Sequence, residues 1–416
     1  MTRWERGVPV YGVPVLTRGF WALTALVAFG GILTLIREYV GLGATSGMTD
    51  AYAWGIWKTF NVMVLTGLGS GGFAVGIAAW IFNNQKLHQV MRVALLTSFL
   101  AYATGLIMLG IDVGRPWNFY WVVLPWHWNV ASPLLEVAVC VSLYATVPLL
   151  LENVPPLLEY VIYEQPKYRD LALKAEKILE KVFPFVVALA YLLPMMHQSS
   201  LGALMLLGGD RVHTLWQTPF LPLIYVSAAA YLGYACTMLA LLLAKLAWKR
   251  GLDWDVCEVM NKITANLIFA WTALRFADII FRGKLGTAFA FDRFAALFWL
   301  ETVLILGGAI ALKSERRMNL GFLFNAYVAV AVGGMIYRLS PTTLAFQPRP
   351  NAFYFPNVWE SLISLSYIAL AVLAYLVAVK KLAILPASNE DWNKMAAYEK
   401  VVRPELQLTG YTAVEH

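Results

Sequence analysis

The sequence predicts an all-α polytopic membrane protein, and three observations indicate this class. Hydrophobic residues make up 60% of the 416 residues and charged residues 14%, whereas soluble domains average about half apolar and a quarter charged. Charge-free stretches such as residues 19–36, 59–85 and 93–111 are long enough to cross the roughly 30 Å hydrocarbon core of a bilayer. The 16 Trp and 20 Tyr residues suit the aromatic belts found where a bilayer meets water.

The apolar stretches predict ten transmembrane helices. Of the 32 Lys and Arg residues, 22 fall on the side that holds both termini, 8 on the opposite side and 2 inside spans. This positive-inside bias predicts that both termini are cytoplasmic, so the net charge of +7 reports topology and no nucleic-acid partner is expected. The predicted helices cover residues 19–37, 56–82, 91–112, 131–152, 182–203, 219–245, 263–282, 294–312, 318–338 and 358–380.

The predicted organisation has three parts. Residues 1–18 form a cytoplasmic N-terminal segment, residues 19–383 the ten-helix membrane domain and residues 384–416 a cytoplasmic C-terminal tail. The first apolar run is long and no small-residue cleavage site follows it, so we interpret it as a spanning helix and not as a signal peptide. The longest inner loop, residues 153–181, mixes acidic and basic residues and is expected at the cytoplasmic surface. The outer loops 113–130 and 339–357 are rich in aromatic residues, Pro and Asn, which suits the docking of a partner.

A weak internal repeat relates two parts of the chain. Its landmarks occur in the same order in both halves and predict two parallel four-helix bundles, helices 2–5 and helices 6–9, flanked by helices 1 and 10. The landmarks are Trp57-Lys58-Thr59 with Trp216-Gln217-Thr218, Asp112 with Asp278, Glu136 with Glu301, and MMHQSSLGAL (195–204) with MIYRLSPTTL (335–344).

Ionisable and polar side chains inside the spans are the candidate functional residues, because burying them in a membrane is costly unless they act or are paired. Most of them are expected in the outer half of the membrane, with Tyr102 the nearest to its middle. The set comprises Lys58, Tyr102, Asp112, Glu136, His197, Arg275, Asp278 and Glu301.

Four of these residues have simple structural interpretations. Arg275 and Asp278 are three residues apart on one helix, so they can neutralise one another or take part in function. Asp112, together with Arg115, is expected to shape the loop that follows it, and Lys58 is expected to extend its amine to the membrane surface.

Glu136 and His197 have two open interpretations each. No basic residue precedes Glu136 within two turns and apolar residues follow it, so we expect a buried carboxyl that relays protons or makes a structural hydrogen bond. His197 is followed by Gln198 and two serines, a setting that suits a hydrogen bond to a ligand oxygen or a satisfied core histidine.

The sequence offers few ligands for a resident redox centre. Three scattered cysteines, Cys140, Cys236 and Cys257, are too few for an iron–sulfur cluster or a four-cysteine zinc site. His197 is the only one of five histidines inside a predicted span, so a haem with two histidine ligands is not expected. The glycines of GLGSGG (67–72) do not follow a strand, and we interpret them as a place where another helix or a flat ligand approaches closely.

Longer motifs resemble one known family. IDVGRPWNFYW (111–121), LPWHWNVASPLLEVAVC (124–140), LLPMMHQSSLGALM (192–205), LRFADIIFRGKLGTAFA (274–290) and YFPNVWESLIS (354–364) are similar to HybB-type membrane subunits of NiFe hydrogenase-2. These subunits belong to the NrfD/PsrC superfamily of quinone-interacting membrane proteins. The resemblance runs from about residue 20 to residue 385, essentially the whole membrane portion.

The resemblance implies a function in respiration. It implies a haem-free subunit of the bacterial inner (cytoplasmic) membrane that has no iron–sulfur cluster of its own. Such a subunit passes electrons between an extracytoplasmic iron–sulfur subunit and the quinone pool, either menaquinone or ubiquinone. The implied partners are the large, small and ferredoxin-like subunits of a hydrogenase, all on the outer side. Two alternatives from other classes are a passive membrane anchor and a secondary transporter.

The resemblance also implies roles for individual residues. It assigns Tyr102, Glu136 and His197 to quinone chemistry and proton transfer. The quinone region would further be lined by Asp112, Asn129, Arg275, Asp278 and Glu301, and no residue is assigned to a metal.

Overall fold

The computed structural model describes residues 7–10, 13–250, 252–349 and 353–386, and within these ranges the chain forms ten helices long and apolar enough to cross a membrane. The prediction of an all-α protein with ten spans is therefore confirmed. The helices are α1 Arg18–Val40, α2 Trp57–Ile81, α3 Met91–Asp112, α4 Pro133–Glu164, α5 Pro166–Leu206, α6 Leu221–Trp248, α7 Trp254–Phe281, α8 Arg293–Lys313, α9 Leu320–Leu344 and α10 Val358–Lys381.

The largest departure from the prediction lies between α4 and α5. Residues 153–181, expected as a polar loop, are almost entirely helical, and α5 runs unbroken from Arg169 to Leu206. Ala172 and Leu179 are buried in this part of α5, so it has an apolar face although its composition is polar. A helix continues beyond the membrane where one face can still pack. The α4 span bends instead, with breaks beside Pro148 and at Asn153 before two further prolines.

The helices form two groups of neighbours. α2, α3, α4 and α5 contact one another in turn, as do α6, α7, α8 and α9, while α6 also packs against α2, α3 and α5. α1 pairs with α10, which in turn packs against α3. The arrangement as two parallel four-helix bundles, helices 2–5 and 6–9, stays a prediction.

Glycines allow a close contact between α2 and α6, as the GLGSGG segment predicted. α2 is interrupted at Gly69 and Ser70 and contains π-helical turns at both ends. Immediately after the interruption Gly71 lies directly against Gly233 of α6, where a side chain on either residue would strike atoms of the other helix. Gly67, one turn earlier, leaves room for the Arg338 side chain from α9.

Hydrogen bonds close the two ends of the bundle. At the end that we call inner, the Val8 amide donates to the Leu385 carbonyl at 2.8 Å, so the two described chain ends meet there. At the opposite, outer end, the buried Glu360 carboxylate accepts hydrogen bonds from the Gly47 amide (2.6 Å) and the Tyr354 hydroxyl (3.0 Å). It also caps its own helix with Asn357. The inner end is the one predicted to be cytoplasmic.

Candidate functional site

Tyr102 and His197 meet in the interior of the first helix group. The Tyr102 ring centroid lies 5.5 Å from that of His197, and the Tyr102 hydroxyl accepts a 2.9 Å hydrogen bond from the Gln198 amide. Both residues are 0% exposed. The His197 ring lies close to the backbone of Val137, yet neither ring nitrogen has a well-formed hydrogen bond to a described residue. Burying imidazole nitrogens without hydrogen-bond partners costs free energy, so this position suits a bound polar ligand or a water molecule.

Glu136 departs from the expectation of burial, because its side chain is exposed in this chain. The α4 residues that face the bundle are Val137, Cys140, Val141 and Tyr144, a stripe with helical spacing. Glu136 projects roughly a quarter turn to the side of this stripe, at about 100° per residue. The carboxyl therefore lies on the exposed side of α4. Glu136 directly precedes Val137, whose backbone approaches the His197 ring.

Arg275 and Glu301 form the most buried charge pair of the outer half, within the part of the chain that the structure describes. The Arg275 guanidinium bonds directly to the Glu301 carboxylate, which also accepts hydrogen bonds from Trp216 Nε1 (2.9 Å) and Ser340 Oγ (3.0 Å). The guanidinium carbon lies 4.6 Å from the centroid of the Phe298 ring and near three further aromatic rings. The expected neutralisation of Arg275 by Asp278 is therefore wrong, because Glu301 on α8 is the partner of Arg275.

Asp278 pairs with a cation that the sequence interpretation did not consider. Arg282, four residues further on and directly after the end of α7, binds both Asp278 carboxylate oxygens, with a shortest distance of 2.7 Å. The Thr218 hydroxyl donates to the same carboxylate at 2.6 Å.

Lys58 and Asp112 form an ion pair of 2.6 Å at the outer end of α2 and α3. The expectation that Lys58 extends to the membrane surface is wrong, because the first turn of α2 faces the last turn of α3, where the Asp112 carboxylate is buried. The repeat assigned Asp112 and Asp278 to equivalent positions. Asp112 pairs with Lys58, and Asp278 accepts a hydrogen bond from Thr218. Lys58 and Thr218 each belong to the Trp-x-Thr segment of the same half as their partner.

Asn129 lies apart from these buried groups. It is exposed in the outer loop, where its side-chain oxygen accepts a hydrogen bond from the Ala131 amide at 3.2 Å, just before α4 begins. The structure therefore brings Tyr102 and His197 together, and separately Arg275 and Glu301, but places Asn129 in the loop surface.

Arg338 is a buried cation that the sequence interpretation did not include among its candidate residues. It is 0% exposed, donates to the carbonyls of Met63 (3.0 Å) and Tyr225 (2.9 Å), and lies over the Tyr225 ring. The signal that identifies it is the repeat, because laying MIYRLSPTTL on MMHQSSLGAL puts Arg338 opposite Gln198. Gln198 contacts Tyr102, so the equivalent positions of both halves hold buried hydrogen-bond donors.

A cavity of about 210 Å³ lies at the outer end between α5, α9 and the segment before α2. Tyr52, Met205 and Thr342 are among its lining residues. Leu204, which also lines it, is seven residues beyond His197 on α5, or about 10 Å along the helix. The outer end therefore offers a concave surface beside the 339–357 loop, whose Phe346 is one of the lining residues.

These features define a multi-pass helical membrane protein with buried polar clusters in the outer half of its bundle. Residues 44–347 match the family described as polysulphide reductase, NrfD, and the chain belongs to this family. It is 34% identical over 385 residues to the "Probable Ni/Fe-hydrogenase 2 b-type cytochrome subunit" of Escherichia coli K12, covering 91% of this chain and 95% of that one. The resemblance to HybB-type subunits is thereby confirmed.

A second relative carries a different redox name. The chain is 26% identical over 402 residues to "Menaquinone reductase, integral membrane subunit" of Nitratidesulfovibrio vulgaris, covering 89% of this chain and 92% of that one. A shorter similarity, 28% over 107 residues, relates it to a selenate reductase subunit of Mesobacillus selenatarsenatis, covering about a quarter of each chain. These relatives are all named as subunits of oxidoreductases.

The expectation that this subunit binds no haem is contradicted by the name of the Escherichia coli relative, which is called a b-type cytochrome subunit. Among the residues that the structure describes, His197 is the one histidine within the membrane-spanning portions of the ten helices, and its ring nitrogens have no well-formed hydrogen bonds. The described spans therefore supply one histidine ligand and do not fit a haem held by two histidines of this chain.

Proposed function

We propose that this chain passes electrons between an iron–sulfur subunit docked at its outer end and the membrane quinone pool, and delivers protons to the quinone. Membership of the NrfD family and the names of the hydrogenase and menaquinone reductase relatives support the redox role. The observation that carries the assignment to this site is the buried pair of Tyr102 and His197, with Gln198 holding the Tyr102 hydroxyl.

The chemistry explains why such a pair is needed. Reduction of a quinone takes two electrons and two protons, and both carbonyl oxygens of the headgroup become hydroxyls. A phenol hydroxyl and an imidazole next to each other can donate to a carbonyl oxygen and pass a proton to it. In our proposal, Tyr102 and His197 bind the headgroup oxygen and transfer the proton, while Gln198 positions the phenol.

The exposed position of Glu136 suits a role at the same site. A lipid-soluble quinone reaches the protein through its membrane-facing surface, and Glu136 lies on that surface of α4. Its carboxyl is adjacent in sequence to the Val137 backbone that approaches the His197 ring. We therefore place Glu136 as the group that exchanges protons with His197 or with the arriving headgroup.

The family resemblance assigned Arg275, Asp278 and Glu301 of the second helix group to the lining of the quinone region. We propose an electrostatic role for these residues instead. Arg275 and Glu301 already neutralise each other, and Asp278 is neutralised by Arg282. We propose that these pairs fix the outer half of α7 and α8, and that Asp112 with Lys58 does so for α2 and α3. Asn129 shapes the loop before α4 and so positions Glu136.

The outer end supplies the surface for the redox partners. Trp117, Trp126 and Phe353 are 66%, 75% and 79% exposed in the outer loops. Aromatic side chains are enriched at protein–protein interfaces, so an exposed group of them suits a binding surface. We propose that a ferredoxin-like iron–sulfur subunit docks on this surface, with the small and large hydrogenase subunits beyond it.

The test compares two electron acceptors in the complex purified through a tag on this chain. Glu136→Gln, His197→Gln and Tyr102→Phe are expected to lower hydrogen-driven quinone reduction by about 100-fold, the size of a lost proton-transfer group. Reduction of an artificial dye, which bypasses this subunit, is expected to stay at the wild-type rate. Asp210→Asn, which changes an exposed carboxyl at the outer end, is the matched control.

The outcomes separate the alternatives. If all three variants reduce quinone like the wild type, the chain is a passive anchor and the site assignment is wrong. Purification without any iron–sulfur subunit, together with solute flux in liposomes, would favour a secondary transporter. Comparing a menaquinone analogue with a ubiquinone analogue identifies the preferred quinone in the same assay.

A further inference from the structure

The second helix group contains a set of buried polar side chains that the proposed quinone site does not use. They lie where α6, α7 and α9 meet, and each of them is at most 3% exposed. Their aromatic rings are in contact, since the Trp271 ring meets those of Tyr337 and Tyr231 at centroid distances of 4.9 and 5.5 Å. We call this set the donor cluster, and its members are Tyr225, Tyr231, Trp271, Arg275, Tyr337 and Arg338.

Every member of the donor cluster has one buried polar atom without a hydrogen-bond partner among the described residues. Three of these atoms can only donate, namely Nε1 of Trp271, Nη1 of Arg275 and Nε of Arg338. The other three are tyrosine hydroxyls, which can also donate. Burying so many donors without acceptors costs free energy, so the cluster suits a bound acceptor.

The donor cluster also carries a positive charge that no carboxylate in the described structure neutralises. Its two arginines differ, because Arg275 pairs with Glu301 whereas Arg338 donates to the carbonyls of Met63 and Tyr225, which are neutral. The ionisable groups close enough to Arg338 for a charge interaction are tyrosines. An isolated buried cation is costly inside a membrane protein, so the acceptor that fits here is negatively charged.

The tyrosine hydroxyls lie between the two arginines. Tyr231 and Tyr337 are each close enough to both guanidinium groups for their charges to interact. The Arg275 guanidinium carbon lies 4.9 Å from the centroid of the Tyr337 ring, and that of Arg338 lies 4.9 Å from the centroid of the Tyr225 ring. The Tyr225 and Tyr337 rings are themselves 5.8 Å apart. The partnerless donors therefore surround the region between the two guanidinium groups.

The predicted repeat shows how this chemistry differs from that of the first helix group. Laying MIYRLSPTTL on MMHQSSLGAL puts Tyr337 opposite His197 and Arg338 opposite Gln198. An imidazole and an amide both offer acceptors as well as donors, whereas a guanidinium offers only donors and a permanent charge. The second group thus lacks the base that proton exchange with a quinone needs, and it has the donors that an anion needs.

We propose that the donor cluster binds a small monovalent anion, such as chloride, between Arg275 and Arg338. The anion accepts hydrogen bonds from the partnerless donors and neutralises the charge of Arg338. Because the surrounding rings already contact one another, the ligand is a single ion and not a ring-sized molecule. The inference goes beyond the proposed function and does not depend on it, since the anion stabilises the packing of α6, α7 and α9 whatever reaction the complex performs.

The experiment measures thermal unfolding of the complete complex in detergent while gluconate is replaced by chloride at constant ionic strength. A ligand that binds the folded state raises the unfolding midpoint progressively once its concentration exceeds the dissociation constant. We expect such a rise for the wild type. Arg338→Gln removes the charge that the anion neutralises, and its midpoint is expected not to respond to chloride.

Tyr337→Phe is a second variant that removes only a hydroxyl without a partner among the described residues, so the complex is expected to fold normally. The dissociation constant for chloride is expected to rise by about tenfold, the effect of one lost hydrogen bond to a charged group. Tyr375→Phe is the matched control, because it removes another partnerless hydroxyl, on α10 and outside the donor cluster. Its response to chloride is expected to equal that of the wild type.

Crystals of the complex grown with sodium bromide identify the position of the ion. Anomalous scattering from bromide is expected within the donor cluster, in contact with Trp271 Nε1 or the Tyr337 hydroxyl. Water at these donors without a bromide signal overturns the proposal. A wild-type midpoint that is the same in chloride and gluconate, or an unchanged chloride response in both Arg338→Gln and Tyr337→Phe, overturns it as well.

Discussion

The Arg275 guanidinium pairs with the Glu301 carboxylate of the neighbouring helix, and not with Asp278 on its own helix. Both partners are buried, and Trp216 and Ser340 donate the remaining hydrogen bonds to Glu301. The pair therefore joins α7, α8, α9 and the segment before α6 through one carboxylate. An ion pair of this kind holds only while both charges and all their donors are in place.

Glu301→Gln tests this dependence. Removing the negative charge leaves the Arg275 charge buried without compensation, and we expect the free energy of unfolding to fall by about 3–5 kcal/mol. Thermal unfolding of the complex in detergent measures the loss. Asp255→Asn breaks the exposed Lys86–Asp255 pair and is expected to cost at most about 1 kcal/mol. Equal losses of unfolding free energy in the two variants would show that the Arg275–Glu301 ion pair does not stabilise the packing of these helices.

The Lys58–Asp112 pair is tested by a double-mutant cycle. Lys58→Met leaves the buried Asp112 carboxylate without its cation, and we expect a loss of about 1–3 kcal/mol. Adding Asp112→Leu is expected to restore part of that loss, because the two residues act as a unit. Strictly additive losses would mean that Lys58 extends to the membrane surface after all.

The contact of Gly71 with Gly233 predicts a steric effect. Gly233→Ala places a methyl group against the α2 backbone, and we expect a loss of about 1–3 kcal/mol from the forced separation of the helices. Gly110→Ala is the control, because that position in α3 has open space beside it and alanine favours a helix. If both variants unfold at the wild-type temperature, close packing of α2 on α6 is not needed for stability.

His213 predicts a pH dependence at the outer end. Burial lowers the pKa of His213 below its usual 6.5, and the nearby Asp292 opposes part of that shift. The neutral ring stacks on Phe294 and its Nδ1 accepts the Leu215 amide. Because the pKa is lower in the folded state, this contact is complete above about pH 6.5 and weakens as the pH falls toward the lowered value.

Hydrogen exchange measures this effect. After correction for the intrinsic exchange rate, protection of the Leu215 and Trp216 amides is expected to decrease between about pH 7.5 and pH 5. His213→Phe keeps an aromatic ring next to Phe294 and is expected to remove the pH dependence. The same decrease in this variant would assign the titration to another group.

Local chemistry explains which features of the fold were predictable. The charge-free runs and the Lys and Arg asymmetry predicted ten helices, because crossing a bilayer requires about 20 apolar residues whatever they pack against. The glycines of GLGSGG predicted close helix contact, because residues without side chains let two backbones approach. Residues 153–181 were wrongly expected as a loop, because their helical state depends on packing of Ala172 and Leu179 outside the membrane.

The partners of the charges were decided by the tertiary structure. The sequence alone determined that Lys58, Arg275, Asp278 and Glu301 lie within or beside membrane spans, since their depth follows from counting residues along each helix. It did not determine that Glu301 would pair with Arg275, that Asp278 would pair with Arg282, or that the Glu136 side chain would be exposed. A partner depends on how neighbouring helices are rotated about their axes, and that rotation is set by contacts distant in sequence, such as Gly71 with Gly233.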